Sequence, residues 1–117
     1  MPLVNVYTSA ELPPEAKSQA LLGDLSKTLA RVLGKPESYV MTCLVPRARM
    51  TFAGSFDPAC LVEIKSIGGI TRESARSLSD AVCKKLCEVL GVPTNRIYVV
   101  LADVPAPMWG FDGSTFG

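Results

Sequence analysis

The chain has 117 residues, 48% of them apolar and 20% charged, with 12 Lys and Arg against 11 Asp and Glu and a formal net charge of +1. This length makes one domain, residues 1–117, whose folding removes roughly two-thirds of the unfolded surface from water, so its core needs neither metal nor disulfide. Near-neutral charge without a basic block argues against nucleic acid as partner, and the absence of His excludes Ser-His-Asp and Cys-His catalysis and His-ligated metal within the chain. Proton transfer falls to a carboxylate, Lys, Tyr, Cys or an N-terminal amine.

The opening run Met1-Pro2-Leu3-Val4-Asn5-Val6-Tyr7 reads as a strand over about residues 2–8. It lacks a charged stretch followed by a long apolar one, and no window approaches 18 uninterrupted apolar residues. The expectation is therefore no signal peptide, no membrane span and a cytoplasmic protein, with leaderless secretion as the alternative. A helix follows over about 14–33, with Leu21, Leu25, Leu29, Val32 and Leu33 on one face, stopped by Gly34 and Pro36. A second strand is expected over about 39–46.

The same series then repeats. Ala30-Arg31-Val32-Leu33-Gly34-Lys35-Pro36 aligns with Cys87-Glu88-Val89-Leu90-Gly91-Val92-Pro93, and Leu3-Val4-Asn5-Val6 resembles Leu61-Val62-Glu63-Ile64. The second unit reads as a strand over about 59–67, a helix over 72–90 carrying Ala75, Leu78, Val82, Leu86, Val89 and Leu90 on one face, and a strand over 96–102. Two pseudo-symmetric βαβ units, about 2–46 and 59–102, predict an α+β fold (an α/β sandwich): one four-stranded sheet with both helices on one face.

That architecture leaves one sheet face open, yet Val40–Val45 and Ile97–Leu101 are nearly continuous apolar runs. Strands apolar on both faces need cover on both, and the missing cover is most economically a second subunit. The tail, residues 105–117, holds Trp109, Phe111 and Phe116. Either these aromatics pack back on the domain's own core, or the tail crosses to a neighbour, closes its sheet edge and walls a cleft at the interface.

Cys43, Cys60, Cys83 and Cys87 read as small, mostly buried hydrophobes. Met41-Thr42-Cys43 lacks the second thiolate that a soft-metal loop needs, and Cys83 and Cys87, four apart on a helix, lack further ligands nearby. No metal and no cofactor are expected.

Met1-Pro2 opening a strand, Gly34-Lys35-Pro36, Met50-Thr51-Phe52-Ala53-Gly54-Ser55, Ser66-Ile67-Gly68, Asn95-Arg96-Ile97-Tyr98 and Trp109-Gly110-Phe111-Asp112-Gly113-Ser114-Thr115-Phe116 together resemble the macrophage migration inhibitory factor and D-dopachrome tautomerase family, from the first residue to the last. The resemblance implies a homotrimer, and keto–enol tautomerase activity on small molecules such as phenylpyruvate or a dopachrome. It implies that Pro2, exposed by removal of Met1, is the general base and that Lys35 binds the substrate's carboxylate or enolising oxygen. The matching positions make the Ile67 amide a substrate contact, Tyr39 a rim aromatic, Phe111 and Phe116 pocket walls, and Tyr98 a pocket residue donated by the adjacent subunit.

Each of these residues also has a plain structural reading. Pro2 suits a strand start, where no amide is needed. Lys35 suits a helix C-terminus, although its repeat counterpart is Val92, so the turn does not require a lysine. Ile67 with Gly68-Gly69 suits a strand-to-helix turn, and Tyr98 a cross-strand partner. On chemistry alone, an α-amine titrates near 8, and burial in an apolar site beside a lysine lowers that value toward neutrality.

Two departures from the family pattern stand out. Val100 replaces a pocket asparagine two residues after the tyrosine, and Ala59 and Val62 occupy the places of a Cys-x-x-Cys pair, with Cys60 between them. Thiol–disulfide exchange is therefore expected to be absent. Two other functional classes compete with the enzyme: a cytokine-like or intracellular trimer that binds an unidentified protein partner or receptor with a vestigial pocket, and, last, a ferredoxin-like RNA-binding module. The latter needs solvent-facing aromatics among basic residues, and the two apolar strands supply only Tyr98.

Overall fold

Strict alternation makes strand β1 (Pro2–Thr8) one-sided: Pro2, Val4, Val6 and Thr8 are buried, while Leu3, Asn5 and Tyr7 are partly open. Strand β3 (Cys60–Ser66) repeats the pattern with Cys60, Val62, Ile64 and Ser66. These two strands pair antiparallel at the centre of the sheet, with Pro2 opposite Ser66 and Thr8 opposite Cys60. β2 (Met41–Val45) runs parallel to β1, and β4 (Ile97–Asp103) parallel to β3, giving the order β2-β1-β3-β4. The computed structural model describes residues 1–117.

Helices α1 (Glu15–Leu33) and α2 (Arg72–Leu90) lie together on the inward face, burying Leu21, Leu25, Leu29 and Leu33 from one and Leu78, Val82 and Leu86 from the other. These leucines meet Val4, Val6, Val62 and Ile64 in a single core, in which truncating a fully buried Leu such as Leu29 costs about 2–5 kcal/mol. α1 ends where Gly34 turns left-handed at φ 64°, and Gly91 ends α2 in the same way. The start of α2 is fixed by a reciprocal cap: Thr71 Oγ1 accepts from the Ser74 amide at 3.1 Å, and Ser74 Oγ accepts from the Thr71 amide at 2.8 Å.

The expected α+β fold is the observed one, and the registers express the internal repeat as a pseudo-twofold axis. Rotation exchanges Pro2 with Cys60 and Ser66 with Thr8, leaving Asn5 opposite Glu63 at the axis; on the outer strands it exchanges Met41 with Tyr98.

Three details differ from the sequence reading. The strand expected over 39–46 begins at Met41, because Pro36 starts a 3-10 turn over Glu37–Tyr39 in which the Val40 amide bonds Glu37 O at 3.0 Å, leaving Tyr39 on a turn. Ile67 lies just past the end of β3, on the turn to α2. The tail is more regular than expected: a 3-10 turn at Ala106–Met108 leads into a hairpin of β5 (Gly110–Phe111) and β6 (Ser114–Thr115).

No helix covers the sheet's second face. Met41, Val100 and Tyr98 are 66%, 56% and 63% exposed there, around a row in which Tyr7 and Leu61 lie between Val45 and Tyr98.

Candidate functional site

Pro2 opens β1, and the chain builds a cleft around it. Met1, Pro2 and Leu3 form the floor, Ser38, Tyr39, Val40 and Met41 one wall, and Trp109, Gly110, Phe111 and Phe116 the other, enclosing about 360 Å³. The aromatic wall is ordered by its own contacts: Phe111 and Phe116 stack with ring centres 5.6 Å apart, and Tyr39 meets Phe111 edge-on at 6.2 Å. The tail therefore folds back on its own chain, lining the cleft at the sheet's end rather than entering the core. Within the chain, its hairpin forms a separate two-stranded sheet.

Two polar groups converge on the N-terminus. Lys35, carried past the end of α1 by the Gly34 turn, is half-buried, and its Nζ lies 3.8 Å from the point that a Cβ on Gly68 would occupy. The Ile67 amide donates to Met1 O at 3.2 Å. Burial first, and the Lys35 ammonium second, hold the Met1 α-amine below its ordinary value. An amine in this position has a larger neutral fraction near pH 7 than a solvated terminus, and Pro2, one residue inward, is buried.

The turn that presents Ile67 is itself fastened. Gly68 and Gly69 both adopt positive φ, 73° and 83°. Ser66 Oγ donates to Gly68 O at 2.7 Å, and the Gly68 amide donates to Asp103 Oδ1 at 2.7 Å.

Of the residues singled out in the sequence, Pro2, Tyr39, Phe111 and Phe116 share this cleft, with Lys35 and Ile67 at the N-terminus beside it. Tyr98 is elsewhere. Its strand neighbour is Leu61, whereas that of Pro2 is Ser66, so Tyr98 lies roughly 16 Å away along the strand direction at the other end of the sheet. There it lines a second cleft of about 280 Å³ with Met50, Phe52, Ala59, Cys60 and Leu61, its ring 4.8 Å from that of Phe52. One chain does not bring Tyr98 to Pro2.

Trp109, Leu3 and Met41 line the Pro2 cleft without having been singled out as site residues. Trp109 was visible only as part of an aromatic tail, and Leu3 and Met41 only as strand apolars; their role depends on which strand ends meet, which no local pattern encodes. No three His, Cys, Asp or Glu side chains gather in a metal-binding group.

A one-domain, two-helix sheet fold with a buried N-terminal proline in an aromatic cleft defines a narrow class of small proteins. The family model for macrophage migration inhibitory factor (MIF) matches residues 1–117, and the chain belongs to that family. It is 37% identical over 117 residues to the macrophage migration inhibitory factor homolog of Brugia malayi, covering 100% of both chains, and 37% identical over 116 residues to the macrophage migration inhibitory factor of Meriones unguiculatus, covering 99% of each. Among solved structures, the macrophage migration inhibitory factor homologue from Prochlorococcus marinus superposes with a TM-score of 0.91 at 46% identity, covering 98% of this chain and 99% of that one. The Toxoplasma gondii factor gives 0.92 at 35% identity, covering 97% and 99%.

Proposed function

We propose that the chain catalyses keto–enol tautomerisation of phenylpyruvate- or dopachrome-type substrates, as a homotrimer, with the nitrogen of Pro2 as general base once Met1 is removed. The observation that carries this reading is a buried proline at the head of the first strand, lining an aromatic-walled cleft, with a lysine and a backbone amide converging on the N-terminus beside it.

The chemistry follows from those groups. The neutral Pro2 amine takes a proton from the carbon next to the substrate's carbonyl. The electron pair left behind forms the carbon–carbon double bond and moves the carbonyl's electrons onto oxygen. Lys35 and the Ile67 N–H stabilise that oxygen as negative charge develops, the largest contribution such a site makes. The oxygen then takes a proton from solvent, the Pro2 ammonium releases its own, and the product is the enol isomer with no net change in atoms. Tyr39, Phe111 and Phe116 supply the apolar surface for the substrate's ring. In the trimer, Tyr98 of a neighbouring copy is proposed to complete the cleft, with Val100 leaving one polar contact fewer.

The test is turnover of phenylpyruvate by the Met1-processed protein. A folded, processed trimer that leaves phenylpyruvate and dopachrome-type substrates unchanged refutes the reading. The relatives' shared name, macrophage migration inhibitory factor, favours the second reading in that event: a trimer that binds a protein partner and keeps a vestigial cleft.

A further inference from the structure

The pseudo-twofold axis supplies an internal control, because each residue near Pro2 has a counterpart near Cys60 at a turn of the same fold. Two of the positions that break the symmetry in chemical type lie around the Gly68 turn. Lys35 answers to Val92, which is fully buried. Asp103, opposite Ser66 on β3, answers to Pro46, the residue that follows β2.

The two departures meet at one turn. Pro2, Ser66 and Asp103 form a single row across β1, β3 and β4. From that row Ser66 Oγ holds the Gly68 carbonyl and Asp103 Oδ1 holds the Gly68 amide, each at 2.7 Å, while the Val104 amide closes the strand end on Ser66 O at 2.8 Å. Beside the same glycine lies Lys35 Nζ, 3.8 Å from the point that a Cβ there would occupy. In the symmetry-related half, Thr8 Oγ1 accepts from the Ala10 amide at 3.1 Å, and Pro46 offers that turn no carboxylate. A stable turn at this point of the fold thus forms without a residue like Asp103.

We propose that Asp103 is a positioning residue: by tying the Gly68 amide to the row that carries Pro2, it fixes the Ile67 amide and the neighbouring Lys35 ammonium at the distances that an enolate oxygen requires. This rests on the tautomerase reading and deepens it. Asp103 is exposed and does not line the cleft, so its effect reaches substrate through the turn. A carboxylate is the stronger acceptor for a backbone amide, and small displacements of donors around a reacting oxygen are costly.

The experiment compares Asp103→Ala, Asp103→Asn and Asp103→Glu in the Met1-processed protein, measuring kcat and KM for phenylpyruvate beside thermal melting. Asn keeps an acceptor oxygen at the same reach and removes the charge; Glu keeps the charge and lengthens the arm. The expected result is a loss of about tenfold in kcat/KM for Ala, carried mainly by kcat, a comparable loss for Glu, and rescue by Asn to within about twofold. Wild-type kcat/KM in Asp103→Ala overturns the proposal. So does an Asn variant as impaired as Ala, since charge and not geometry then matters. If Ala does not fold, the contrast between Asn and Glu decides: equal activity of those two overturns it. An inactive wild type is a different outcome, which removes the tautomerase reading itself.

Discussion

The amide of Ile67 donates to the carbonyl oxygen of Met1 at 3.2 Å, so the first residue occupies the donor that the proposed reaction needs for its oxyanion. Met1 also acylates the Pro2 nitrogen. One residue therefore masks both the base and one of the two groups that stabilise the enolate, and its removal exposes both together.

Retaining Met1, or adding any residue before Pro2, is accordingly expected to abolish phenylpyruvate tautomerisation while leaving the fold and assembly intact. Mass spectrometry of the N-terminus, light scattering and an activity assay on the same preparation check this. Full activity from a blocked protein would require another base, with Tyr98 or Lys35 next in line.

The second prediction concerns the uncovered sheet face. Leu61 lies between Tyr7 and Tyr98 in an apolar row, with Glu63 two residues on along the same face. On a solvated face, a Leu61→Lys change beside Glu63 is nearly neutral, within about 0.5 kcal/mol. On a face covered by another copy it buries a charge and weakens association. The expected outcome is that Leu61→Lys shifts the proposed trimer toward monomers while the wild type stays associated, read by sedimentation. A wild-type monomer would remove the argument from two-sided apolar strands.

The inward half of the fold was legible because its signals are local. Leucines at helical spacing from Leu21 to Leu33, and Gly34 and Gly91 as helix stops, fix their elements without reference to the rest of the chain. The repeat then gave the topology, since two βαβ units can share a sheet in few ways. The cleft was less legible. Pro2, Lys35, Tyr39, Phe111 and Phe116 entered through an ordered set of family motifs, whereas Trp109, Met41 and Leu3 became cleft residues only when the tail hairpin met the start of β1. Asp103 left a trace in the repeat, facing Pro46 by alignment, but its partner is a backbone amide, and side-chain patterns do not report backbone partners.

A third prediction follows from Cys60. Its thiol is buried, donates to Thr8 Oγ1 at 3.4 Å, and is pushed above its ordinary pKa chiefly by burial; Cys83 is also pushed up, with burial again first. Thiols held protonated are poor nucleophiles. In the native protein near pH 7, Cys60 is expected to be alkylated far more slowly than a free thiol, and insulin reduction is expected to be negligible. Robust reductase turnover that Cys60→Ser eliminates would overturn this.

The last prediction separates the two roles open to Lys35. As a helix-end cation it contributes under about 1 kcal/mol to stability, and its counterpart Val92 occupies an equivalent turn with no charge. As the group facing the developing enolate, it contributes to the barrier. Lys35→Ala should then lower kcat/KM by about 100-fold, the scale of one lost charge-stabilising donor, with little change in melting temperature. The same substitution carries a signature in pH. The Lys35 ammonium is the second cause, after burial, that depresses the N-terminal amine, and a base must be unprotonated to act. With Pro2 as the base, and its freed amine facing the same lysine once Met1 is removed, kcat/KM rises with pH as that amine loses its proton. Removing the lysine relieves part of that depression, so the rising limb in Lys35→Ala moves to higher pH. A destabilised variant with undiminished turnover and an unmoved limb assigns Lys35 to the helix end alone.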